Sequence, residues 1–83
     1  MFFVYILQST QNSKYYIGST RHLDQRLKEH NAGKVKSTKA FIPYRIIYKE
    51  YFSSYTEARK REIVIKKKKS RRYIEDLIKR GVA

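Results

Sequence analysis

Phe2-Phe3-Val4-Tyr5-Ile6-Leu7 is an unbroken apolar and aromatic run, most of it β-branched or aromatic. A strand with one face in water alternates polar and apolar residues, whereas one covered on both faces does not. The run therefore predicts the central strand of a sheet. Polar residues from Gln8 to Ser13 end it too early for a membrane span, and no basic leader or small-residue cleavage site marks a signal peptide. The expected compartment is the cytoplasm. With 83 residues, the expectation is one small domain over residues 1–83, too small to enclose a large substrate cavity, so binding belongs on its outside.

The turn-rich Ser9 to Ser13 stretch leads into Tyr15-Tyr16-Ile17-Gly18, which has strand character and should close a hairpin. If Gln8 pairs with Ser13 around a four-residue loop, Tyr5 lies directly opposite Tyr16, with two phenols on one sheet face. Leu23, Leu27 and His30 then share a helical stripe that starts near Thr20, and Arg26 borders it one turn before His30. Asn31 to Ala40 reads as a loop carrying Lys34, Lys36 and Lys39. Pro43 introduces a third strand, Tyr44 to Phe52, in which Tyr44, Ile46 and Tyr48 alternate with Arg45, Ile47 and Lys49.

Ser54-Tyr55-Thr56-Glu57 matches a capping box, so a helix starts there. On it Tyr55, Ala58, Glu62 and Ile65 fall on one side, which places Glu62 in the stripe that should face the core. An ionised carboxylate there is costly unless a cation meets it, and Arg61 or another basic neighbour is the expected partner. Ser70 is the expected cap of a last helix whose apolar side is Tyr73, Ile74, Leu77 and Ile78, with Gly81 after its final basic turn. The expected fold class is α+β, a three-stranded antiparallel sheet flanked by about three helices.

Twenty Lys and Arg against seven Asp and Glu give a net charge of +13. Such self-repulsion is most easily understood if a polyanion neutralises it, which makes nucleic acid the first expected partner. The absence of Cys excludes disulfide scaffolds, thiolate metal sites and cysteine nucleophiles. Two His without a third ligand at metal-site spacing speak against zinc. What remains is Tyr5, Tyr16, Arg26, His30 and Glu62. Taken singly, each has an ordinary structural explanation. Together they supply an anion stabiliser, a carboxylate able to hold a metal, and a weak base, the inventory of phosphodiester cleavage.

These residues resemble the GIY-YIG endonuclease domain. Val4-Tyr5-Ile6 stands where the family has its GIY element, and Tyr16-Ile17-Gly18 reproduces YIG. Arg26, with His30 one turn later, is similar to the helix bearing the family's essential arginine. The stretch from Glu57 to Glu62, followed by Ile65-Lys66, resembles the segment with the metal-binding glutamate. The match runs in order across Val4 to Lys66 and is closest to small stand-alone members. It departs from the pattern at Val4 (glycine in GIY), at Ser19 (lysine in some members, such as the excision-repair nuclease subunit), and in having no Asn after Asn31.

The resemblance implies phosphodiester hydrolysis with a single Mg²⁺ or Mn²⁺ on Glu62, in DNA rather than RNA, with a role in repair or recombination. Arg26 would stabilise phosphate charge. Tyr5 or Tyr16 would take the proton from water, with Tyr5 favoured and Tyr16 and His30 orienting it. Lys34, Lys36, Lys39, Lys66, Lys67, Lys68, Lys69, Arg71 and Arg72 are the expected phosphate contacts, which confer little sequence specificity. Two competing expectations are a non-catalytic basic module that stacks bases on its tyrosines and an accessory domain of a larger repair complex.

Overall fold

The computed structural model describes residues 1–68 and 70–80. Strands β1 (Phe2–Ser9), β2 (Tyr15–Thr20) and β3 (Tyr44–Phe52) form an antiparallel sheet in the order β2-β1-β3. Helix α1 (Leu23–Asn31) follows β2, and α2 (Tyr55–Lys68) and α3 (Arg71–Arg80) follow β3, with a short 3-10 turn at Lys39–Phe41. The α+β architecture is the expected one, and the unbroken apolar run is the central strand, with Val4 to Leu7 all buried. Among the described residues no helix is long and apolar enough to cross a membrane.

The pleat of β1 divides the core. Val4 and Ile6 pack with Tyr48, Ala58, Ile65, Ile74 and Leu77, on the side of α2 and α3. Tyr5 and Leu7 point the other way, against Leu23 of α1 and Tyr44. Each fully buried aliphatic side chain stabilises the fold by about 1.5–3 kcal/mol. Ser54 and Ser70 start their helices as expected, accepting the N–H of Glu57 at 3.2 Å and of Tyr73 at 3.1 Å. The Glu57 carboxylate accepts from the Ser54 hydroxyl, so the reciprocal half of the box is made to the side chain.

Two expectations about register are corrected. The hairpin loop is Thr10 to Ser13, closed by Ser9 N–H donating to Lys14 C=O at 2.9 Å. It lies one residue later than expected because the buried Ser9 hydroxyl accepts from Gln11 and Asn12 and donates to Phe41 C=O at 2.7 Å. Leu7 therefore faces Tyr16, and Tyr5 faces Gly18. A two-residue shift preserves the face, so the two phenols are diagonal neighbours, with ring centroids 6.5 Å apart. In β3, Ile6 pairs with Tyr48 but Leu7 with Ile46, which makes Ile47 the extra residue of a bulge. The bulge sends Tyr44 and Ile46 to the α1 side and Tyr48 to the other.

Candidate active site

On the α1 side four of the expected residues meet. Tyr5 Oη lies 3.2 Å from His30 Nε2, and His30 Nδ1 lies 2.8 Å from Thr38 Oγ1. Thr38 Oγ1 donates its one proton to Val35 C=O at 3.3 Å, so it accepts from Nδ1–H. Nε2 is then the bare nitrogen, and the Tyr5 hydroxyl donates to it. His30 is 0 % exposed and takes the Tyr16 ring edge-on at 4.9 Å. Burial, helped by the charge of Arg26, pushes its pKa down to about 4. His30 is therefore neutral at physiological pH and cannot serve as the cation that favours a phenolate.

Tyr5 is 1 % exposed. Burial raises its pKa above the ordinary phenol value, the hydrogen bond and charge of Arg26 oppose this, and the neighbouring Tyr16 and the Glu62 carboxylate add to it. Its hydroxyl rests against Gly18, where an added Cβ would stand 2.6 Å from Oη and 2.8 Å from Cζ. Gly18 is required by this close approach of the ring. Arg26, whose pKa is raised first by its hydrogen bond to Tyr5, donates to Glu29 Oε1 at 3.1 Å. It lines an open cleft of about 280 Å³ with Ser19, Thr20, His22, Gln25 and Glu29.

Glu62 arrives from the other side of the sheet. On α2 it is 3 % exposed, and the Ser19 hydroxyl, on the face of β2 opposite Gly18, donates to its Oε1 at 2.6 Å. Arg59 and Lys66 lie 3.1 and 2.7 Å from Oε2. Burial acts to raise its pKa, but Lys66, Ser19 and Arg59 outweigh it and hold the carboxyl below the usual range. Arg61, one expected partner, instead pairs with Glu50 at 2.9 and 3.0 Å. Tyr5, Tyr16, Arg26 and His30 thus gather on the α1 side of the sheet, while Glu62 comes from α2 on the other side and is linked to the cleft through Ser19, which lines the cleft and donates to the carboxylate.

Two strand tyrosines, a helix arginine and an α2 glutamate around a Tyr-Ile-Gly strand is a constellation that can be compared with known proteins. A family model described as the GIY-YIG catalytic domain matches residues 1–74. This chain belongs to the GIY-YIG nuclease family. It is 39 % identical to a UPF0213 protein of Bacillus licheniformis, across 96 % of this chain and 86 % of that one. It is 45 % identical to one of Staphylococcus haemolyticus across 77 % and 78 % of the two chains. The solution structure of a UPF0213 protein from Bacillus halodurans aligns with TM-score 0.59 at 36 % identity, covering 95 % of this chain and 84 % of that one. The α+β fold is shared with that structure.

GIY-YIG nucleases act on nucleic acid and are generally dependent on a divalent metal. Among the described residues no group of three or more His, Cys, Asp or Glu could hold an ion. The donor set is one ionised carboxylate and the Ser19 hydroxyl. That fits a hard cation such as Mg²⁺, which keeps several waters and takes only one or two carboxylates.

Of the expected phosphate contacts, Lys34, Lys36 and Lys39 are exposed beyond α1, and Lys67 and Arg72 are exposed on α2 and α3. Lys66 is engaged with Glu62. Arg71 pairs with Glu75 at 3.5 Å and stacks 4.7 Å from the Tyr15 ring, and Lys68 lies 5.4 Å from that of Tyr73. Lys69 and Gly81 lie outside the described residues. Sequence reasoning missed Ser19 and Thr38 as working parts. The signal for Ser19 was its place directly after YIG; Thr38, inside a lysine-rich loop, gave none.

Proposed function

We propose that this protein is a divalent-metal-dependent endonuclease that hydrolyses phosphodiester bonds in DNA with little sequence specificity, in repair or recombination. The observation that carries the reading is the buried hydrogen-bonded chain Thr38, His30, Tyr5 behind Arg26, which lines a cleft together with the Ser19 that donates to Glu62. Arg26 binds the non-bridging oxygens of the scissile phosphate, a task suited to its planar fork, and strengthens that hold as charge builds. His30 stays neutral and accepts a hydrogen bond from the Tyr5 hydroxyl, which orients the phenol. As phenolate, Tyr5 takes a proton from the attacking water while the water oxygen bonds to phosphorus and the bond to the leaving oxygen, which takes a proton from solvent, breaks; Arg26 stabilises the charge that develops. Tyr16 holds the His30 ring edge-on. Glu62, fixed by Ser19, would hold the Mg²⁺ or Mn²⁺, which when bound polarises the phosphate and steadies the leaving oxygen.

The exposed cations supply affinity through phosphate contacts that do not distinguish bases. The test is incubation of the purified chain with labelled linear, branched and single-stranded DNA and RNA, in Mg²⁺ or chelator. Cleavage of DNA only in Mg²⁺ supports the reading. Tight binding with no cleavage under any condition returns the protein to the class of non-catalytic binding modules.

A further inference from the structure

Glu62 and its partners differ in exposure. The Glu62 side chain is 5 % exposed, whereas those of Lys66 and Arg59 are 49 % and 50 % exposed. The carboxylate is pinned by Ser19 through Oε1, while Oε2 carries two long cations from one turn behind and one turn ahead on the same helix. An ion of charge +2 taking Oε2 would meet an ammonium 2.7 Å from that oxygen, and like charges sharing one oxygen repel. Lys66 and Arg59 must move off for a metal to enter. Their flexible stems allow it, and phosphates offer the displaced groups a new partner of the same sign as the one they leave.

We propose that Lys66 and Arg59 occupy the cation position of Glu62 in the free protein and that nucleic acid draws them away, so that nucleic acid and divalent metal bind with positive coupling. This rests on Glu62 as the metal-holding carboxylate and adds when that carboxylate becomes available. The metal site then fills mainly on a bound strand. Linkage requires the converse as well, that metal strengthens nucleic-acid binding by the same factor.

The test is Mn²⁺ binding to the full chain without nucleic acid, followed by electron paramagnetic resonance, for wild type, Lys66→Met, Lys66→Arg and Glu62→Gln. Lys66→Met is expected to bind about twofold to fivefold more tightly than wild type, the factor that matches losing one half-exposed ion pair. Lys66→Arg should stay near wild type, and Glu62→Gln sets the background. In a second arm every protein carries Arg26→Ala to keep the strand intact, and anisotropy of a labelled duplex is read in chelator and in Mn²⁺. The Mn²⁺-dependent gain over Glu62→Gln should shrink in Lys66→Met. If Lys66→Met and wild type bind alike and both exceed Glu62→Gln, the gate is overturned and the metal site stands. If the other three match the Glu62→Gln background, the assignment of metal to Glu62 falls with it.

Discussion

His30 should make this fold lose stability in mild acid, ahead of its carboxylates. In the folded chain its pKa is pushed from 6.5 to about 4 by burial and by Arg26, so between those values the unfolded chain binds a proton that the native one refuses. The depressed folded value means that the contribution is whole above pH 6.5 and disappears as pH falls toward 4. Integrating the proton uptake gives a loss of about 2 kcal/mol by pH 5 and about 3 kcal/mol by pH 4. A domain of this size has a total stability of about 5–15 kcal/mol, so the loss is large. Glu62 and Glu50, whose pKa values are lowered from 4.5, lose their contribution only below that value, which leaves the window above pH 5 to His30. Urea unfolding of wild type and His30→Gln from pH 7.5 to 5 provides the assay. The variant should be less stable at pH 7.5 and show a slope smaller by the His30 share. Equal slopes in the two proteins, or an NMR titration of the His30 ring near 6.5, would refute the reasoning.

Further outcomes follow from the same geometry. Gly18→Ala puts a methyl 2.6 Å from Tyr5 Oη and should destabilise by about 1–3 kcal/mol in denaturant unfolding; an unchanged midpoint would mean that the ring has room. Because burial chiefly holds the Tyr5 phenol above its ordinary pKa, single-turnover cleavage should rise about tenfold per pH unit from pH 6 to 9. A plateau at neutral pH would assign the base elsewhere. Duplex affinity should fall steeply with salt, and Lys67→Ala should reduce the log–log slope by about 1.

Much of this was legible because it rested on local patterns. A short unbroken apolar run rich in β-branched and aromatic residues fits an interior strand, and the helical stripe through Ala58, Glu62 and Ile65 put the carboxylate inward without knowledge of its neighbours. What could not be read was set by contacts distant in the chain. The Ser9 hydroxyl, bonded across to Phe41 C=O, moved the hairpin loop. The bulge at Ile47 comes from fitting β3 to both cores at once, and no residue in that strand announces it. Arg61 and Lys66 are equivalent as sequence neighbours of Glu62. The choice fell to Lys66 because Arg61 points toward Glu50 and Tyr73, on strands and helices that the chain reaches from elsewhere. Thr38 gained its role only because the loop after α1 folds back onto His30.

The most direct measurement is single-turnover cleavage of a labelled duplex in Mg²⁺ by Tyr5→Phe, Glu62→Gln and the double variant. Residues from opposite sheet faces that act as one site should lose rate non-additively. Each single variant should fall at least about a hundredfold, within the usual range for losing a catalytic group, and the double should fall little further. Rates close to wild type in either single variant, or losses that multiply in the double, would contradict a shared site around β2.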